Sequence, residues 1–238
     1  LKWMESQGKN SYHGVVTDPP YGLLEYTEEQ LEKRKSGKGG VWRIPPSIGG
    51  SLRQPLPRFT ILGQEDLTRL YDFFLLWGSK LNDILVPGSH VLIASSVIVS
   101  DVVSSAMRSA GYEKRGEIVR LVRTLRGGDR PKGAHDEFPD VSVIPRSCWE
   151  PWLLFRKPIE GTVAENLLKW RTGGLRRLPD GNPFPDVLMS QRTPKKERAM
   201  AAHPSLKPQD FLRQVVWAML PLGEGLLLDP FAGSGSTL

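Results

Sequence analysis

The sequence predicts an α/β protein, a largely parallel sheet with helices on both faces, and three observations predict it. Apolar runs of strand length alternate with segments of helical period along most of the chain. Two of those runs stop abruptly in turn chemistry, VVTDPPYG at residues 15–22 and GLLLDPFAGSGST at 225–237. Strand tips take this form where an open α/β sheet lines a crevice. Finally, 238 residues with 39% hydrophobic content suffice for one substantial core.

Taken in order, Val15 and Val16 end a buried strand, and Pro19 and Pro20 cannot continue it because they lack an N–H and fix φ. Asp18 to Tyr21 is therefore a stiff ledge beyond the strand tip. The stretch from about Lys33 to Arg58 is rich in Gly, Pro and Arg without a sustained period, so it reads as a long loop or lid. Leu67, Leu70, Tyr71, Phe74 and Leu81 follow helical spacing, after which Pro87-Gly88 turns the chain into the strand HVLIAS. Val99, Val102, Val103, Ala106, Met107 and Ala110 line one face of a second helix, which Gly111 stops. EIVRLVRT and WEPWLLFRK are two further strands. From Pro158 to His203 the composition turns polar, with Gly173-Gly174, PDGNPFP and RTPKKER, and reads as a small inserted, partly irregular segment. Pro208 suits the first turn of a helix whose apolar face is Phe211, Leu212, Val215, Val216 and Met219. That helix leads through PLGEG into the strand GLLLD. No internal repeat is present.

Composition excludes several classes. No run approaches the roughly 18 apolar residues of a membrane helix, and the opening LKWMESQGKN lacks a secretory pattern, so an intracellular, cytoplasmic chain with no membrane partner is expected. The single Cys148 permits neither an internal disulfide nor a multi-cysteine zinc site. The histidines at 13, 90, 135 and 203 show no ligand spacing, so no metal is expected. A formal charge of +6, with Lys114, Arg115, Arg120, Arg123, Arg126, Arg130 and Lys132 in one stretch and seven further cations between Arg171 and Arg198, points to a nucleic-acid backbone.

The glycine-rich loop after GLLLD is neither a P-loop, because it has no lysine beside Ser236 and Thr237, nor a G-x-G-x-x-G turn. Its small residues let a ligand approach the backbone closely. With DPPYG first, HPSLKP at 203–208 and DPFAGSGST last, the sequence resembles the β class of amino DNA methyltransferases over nearly its whole length, WEPWLLFRKP included. The resemblance implies a Rossmann-like methyltransferase sheet in circularly permuted motif order, with S-adenosyl-L-methionine as cofactor and DNA as partner. It divides the chain into a catalytic half at 1–157 with its long loop at about 33–58, a target-recognition segment at 158–202, and a cofactor-binding part at 203–238 of the same domain. Asp229, Phe231, Ala232, Gly233, Ser234 and Gly235 are implied to line the cofactor pocket, with Lys207 and Pro208 closing it. Asp18, Pro19, Pro20 and Tyr21 are implied to form the catalytic ledge. Members of that class continue with two more strands, one bearing an acidic residue for the cofactor ribose, so the chain is expected to be a fragment of such an enzyme.

The chemistry answers why a carboxylate, two prolines and an aromatic ring stand together. An exocyclic amine is a poor nucleophile because its lone pair is delocalised. Acceptors at Asp18 and at the Pro19 carbonyl can take both N–H groups, and rigid acceptors need no reorganisation in the transition state. Tyr21 offers a stacking face for a base taken out of the duplex. Cys148, in SCWEPW, lacks the Pro-Cys turn of cytosine C5 chemistry and is expected to be a small packing residue, and His203 a structural one. The expected activity is site-specific DNA methylation at an exocyclic amine, adenine N6 ahead of cytosine N4. The alternatives are a non-catalytic DNA-binding or specificity subunit that keeps the fold, and methylation of RNA or of a protein amide. A second copy of the chain, or subunits of a restriction or defence system, are the further partners open to it.

Overall fold

The computed structural model describes residues 1–20, 47–48, 51–52, 62–122, 131, 133–200, 206–233 and 235–237. Its elements in chain order are α1 (Lys2–Glu5), β1 (Tyr12–Thr17), β2 (Ser47–Ile48), β3 (Ser51–Leu52), α2 (Gln64–Ile84), β4 (Leu85–Ala94), α3 (Ser100–Ser109), β5 (Glu113–Leu121), β6 (Trp149–Arg156), α4 (Val163–Trp170), β7 (Val187–Met189), α5 (Lys195–Met200), α6 (Gln209–Met219) and β8 (Leu227–Leu228). Six strands form one sheet in the order β7-β5-β6-β4-β1-β8, and β2 and β3 pair separately.

The sheet is mixed rather than largely parallel. Strand β1 runs parallel to β4 and β8, and β5 parallel to β7, but β6 is antiparallel to both its neighbours. An unbroken apolar run such as WLLF reports burial on both faces and carries no signal of direction. The pleat then divides the core. Val15, Val91, Ile93, Leu153 and Phe155 face α2 and α3, where Leu70, Phe74, Trp77, Leu81, Val103 and Met107 cover them. Val16, Leu92, Ala94, Ile118, Trp152 and Leu154 face α6 through Phe211, Leu212, Val215 and Met219. Helices therefore cover both faces, as the alternation of elements implied.

Pro87-Gly88 is not a turn before a strand. Strand β4 runs straight through it as a bulge, where the register against β1 jumps between Tyr12–Leu85 and Gly14–His90. Gly88 sits at φ 80, and its N–H donates to the carbonyls of Lys157 at 3.1 Å and Pro158 at 3.2 Å. The long loop expected at 33–58 lies largely outside the described residues, and its described part is the β2–β3 ladder.

The polar segment after Pro158 is anchored to that bulge. Thr162 and Glu165 cap α4 reciprocally, the Thr162 N–H donating to the Glu165 carboxylate at 2.7 Å and the Glu165 N–H to Thr162 Oγ1 at 3.2 Å. This arrangement satisfies two otherwise orphaned donors at the helix start. Buried Asn166 donates from Nδ2 to the carbonyls of Pro87 (3.1 Å) and Thr172 (2.8 Å) and accepts the Glu160 N–H (3.0 Å). Further along, β7 joins the main sheet beside β5, so the segment is built into the fold and contributes a strand to it. Cys148 does not pack in the core: it is exposed, just ahead of the point at which β6 enters the interior.

Candidate functional site

Strands β1 and β8 lie side by side and parallel, pairing Gly14 with Leu227 and Val15 with Leu228. Their C-terminal tips must therefore emerge together, which brings residues 18 and 229 to one place. A direct bond joins the tips: the Thr17 hydroxyl donates to Asp229 Oδ1 at 2.6 Å, and the same oxygen accepts the Phe231 N–H at 3.1 Å. The loop beyond Asp229 takes positive φ at Gly233 (53) and Gly235 (77), conformations that favour glycine. A Cβ added at Gly235 would meet no atom within 4 Å among the described residues, so that side of the loop is open. The Phe231 ring closes the other side against Phe73 and Trp77, with ring centroids 6.2 and 6.0 Å apart.

On the neighbouring tip Pro19 is buried and Pro20 exposed. Asp18 Oδ2 accepts from Lys207 Nζ at 2.7 Å, and the same ammonium reaches Glu150 Oε1 at 2.9 Å. Glu150 Oε2 in turn accepts from Arg120 Nη1 at 2.8 Å. The pleat explains the meeting, since Arg120 and Glu150 are register partners on β5 and β6 and stand beyond Ile118 and Trp152 on the face that α6 covers. Burial pushes the Asp18 carboxyl above its ordinary pKa, Lys207 opposes the shift, and Glu150 and Asp229 reinforce it. For Lys207, burial works against the charge, but Asp18 and Glu150 overcome it and the ammonium is held more firmly than usual.

Asp18, Pro19, Pro20, Lys207, Pro208, Asp229, Phe231, Ala232, Gly233 and Gly235 thus fall on two adjacent strand tips and the helix start that faces them. Tyr21, Ser234 and His203 lie outside the described residues. Lys207 points its ammonium at the Asp18 ledge, and the residue next to Pro208 touches the glycine-rich loop: Gln209 Nε2 donates to the Ser236 carbonyl at 2.6 Å. Thr17, Gln209, Glu150 and Arg120 escaped the sequence reading as site residues. Glu150 did leave a signal, a carboxylate inside an apolar strand, while Arg120 was counted with the surface cations. The structure corrects that count, because its side chain is only 7% exposed and cannot serve as a surface phosphate contact. No cluster suited to a metal ion occurs among the described residues.

The fold matches that of the class I methyltransferases. The chain superimposes on the cytosine-N4-specific PvuII DNA methyltransferase with a TM-score of 0.57 at 14% identity, covering 98% of this chain and 72% of that one. On the M1.HpyAVI–SAM complex the TM-score is 0.52 at 14% identity, covering 99% and 78%. In sequence the chain is similar to a type II DNA methyltransferase, M.HindIII of Haemophilus influenzae, at 23% identity over 255 residues, 96% of this chain and 81% of the relative. No family model matches the chain.

Proposed function

We propose that the chain is an S-adenosyl-L-methionine-dependent DNA methyltransferase that acts on an exocyclic base amine, adenine N6. The observation that carries the reading is the pairing of β1 with β8, which sets the rigid carboxylate ledge at Asp18 beside the small-residue loop at Asp229 and bonds them through Thr17. One tip is suited to an amine and the other to a ligand that approaches the backbone.

The residues present fit the cofactor. The loop beyond Asp229 offers two glycines in positive φ with open space beside Gly235, an apolar wall at Phe231 and an oriented carboxylate. Bound there, the cofactor supplies an electrophilic methyl group. The protein's part is the nucleophile. Asp18 and the Pro19 carbonyl accept the two N–H groups of the amine and draw its lone pair out of conjugation with the ring. The two prolines hold these acceptors still, so they act as preorganised electrostatic groups. A base must leave the duplex to reach them.

Adenine is preferred because members of the resembled class that carry aspartate at the first ledge position mostly methylate adenine, and here that residue is Asp18. The test is to incubate the protein with unmethylated DNA and labelled S-adenosyl-L-methionine, digest, and identify the modified nucleoside by mass spectrometry. N6-methyladenine is expected. N4-methylcytosine alone would overturn the target atom, and no labelled nucleoside from any DNA would overturn the activity.

A further inference from the structure

Four alternating charges form one ladder across the site: Asp18, Lys207, Glu150 and Arg120, linked at 2.7, 2.9 and 2.8 Å. They come from the tip of β1, the residue before the α6 cap, β6 and β5. Their side chains are 21, 11, 15 and 7% exposed respectively. Ladders of this kind are poor stabilisers, because desolvation offsets most of the attraction and apolar residues of similar volume often do as well. This one ends on the carboxylate that the proposed reaction depends on.

We infer that Glu150, braced by Arg120, is a positioning residue for the target amine: it shares the Lys207 ammonium with Asp18 and so fixes the direction in which the Asp18 carboxylate is held. This rests on the function proposed above. With Glu150 in place, Lys207 Nζ is seated between two carboxylates and cannot follow Asp18 alone. Glu150 itself cannot swing, because its second oxygen is taken by Arg120. Arg120 is fixed from the other side, donating from Nε to Ser190 Oγ at 3.0 Å and from Nη2 to the Gln191 carbonyl at 3.1 Å, with its guanidinium 5.2 Å from the Phe211 ring centroid. The polar segment, at the end of β7, is thereby connected to the ledge by three successive ion pairs. Among the described residues, the charged groups acting on Asp18 are Lys207 from the α6 side, Glu150 from β6 and Asp229 from the tip of β8, with Arg120 one step behind. Glu150 and Asp229 make the Asp18 carboxylate more basic, while Lys207 makes it less so.

Glu150→Gln keeps the shape and removes the charge. Its expected phenotype is a kcat lower by about a hundredfold, the scale of a misplaced reacting group, with KM for DNA and calorimetric affinity for S-adenosyl-L-methionine unchanged. The acid limb of the kcat–pH profile should move to lower pH, because the remaining ammonium then favours ionised Asp18. Glu150→Asp, which restores the charge on a shorter stem, should recover part of kcat and return the limb toward its original place. Wild-type methylation together with an unchanged kcat and an unmoved limb in Glu150→Gln would overturn the inference alone. If that variant does not fold, Glu150→Asp decides, and full activity with an unmoved limb in it has the same consequence. Absence of methylation by the wild type on every DNA would instead overturn the functional reading, and the inference with it.

Discussion

His90 is a residue whose charge the fold excludes. It lies inside β4 at 4% exposure, and burial, followed by the Arg156 and Arg115 guanidiniums, lowers its pKa from 6.5 to about 3. The folded value is below the unfolded one, so the unfolded chain takes up the proton first as pH falls. Stability from this residue is complete above pH 6.5 and is lost as pH drops toward 3. Over that interval it contributes a slope of about 1.4 kcal/mol per pH unit to the unfolding free energy. Urea denaturation of the wild type and of His90→Leu across the same range should show the variant losing stability less steeply by that amount. Parallel curves would mean that His90 is protonated in the folded protein. In the sequence His90 stands in the strand HVLIAS and shows no ligand spacing to the other histidines. Its burial follows from the strand's central place, which the run of apolar neighbours suggests.

At the scale of elements, the bulge in β4 is the joint that fixes the polar segment to the sheet. A Cβ on Gly88 would stand 2.4 Å from Asn166 Nδ2 and 3.0 Å from the Gly173 backbone, at a φ of 80. Gly88→Ala should therefore cost about 3 kcal/mol, strain and displacement together. Gly116→Ala, also at positive φ but with nothing within 4 Å of the new carbon among the described residues, should cost about 1 kcal/mol from the backbone alone. Chemical denaturation of the two variants checks the difference, and equal losses would show that the Asn166 joint yields. This joint also marks where sequence reading runs out. The helices were legible because Val99 to Ala110 and Phe211 to Met219 write their apolar faces into a period of 3.6. The bulge was not, because Pro-Gly is equally the signature of a turn, and what keeps the strand going is a long-range bond to Lys157. Nor was the direction of β6 legible, since it depends on the path between residues 122 and 148, which has no period. The ledge itself was legible, since Asp18 and Asp229 follow directly on their strands. The ladder behind it was not, because Arg120 and Glu150 become partners only through strand register.

For the whole molecule, the net charge of +6 is unevenly available. Arg120 and Arg156 are buried and paired to Glu150 and Glu113, and Lys114 is paired to Glu117. Exposed cations gather instead along α5 and its approach, at Arg192, Lys195, Lys196 and Arg198. DNA affinity should fall steeply with salt, and the double variant Lys195→Gln, Lys196→Gln should lower the slope of log K against log[salt] by about 2, near 0.9 for each phosphate that the variant leaves unneutralised. Fluorescence anisotropy with duplex DNA over a salt series reads both numbers. An unchanged slope would place the phosphates elsewhere. No helix among the described residues is long and apolar enough to cross a membrane.

Strand β8 hangs on the sheet by little. It pairs with β1 through two residues, Leu227 and Leu228, with a clip at its entrance where His13 and Leu226 exchange bonds, His13 N–H to the Leu226 carbonyl at 2.8 Å and Leu226 N–H to His13 Nδ1 at 3.1 Å. Few ladder bonds hold its backbone, so its amides should exchange with deuterium faster than those of β4, even though the Thr17–Asp229 bond and the Phe231 ring tie down the loop beyond it. A ligand that spans both strand tips would add bonds across this seam and slow that exchange. The exchange rates at Leu227 and Leu228 become a gauge of occupancy that needs no reaction to read.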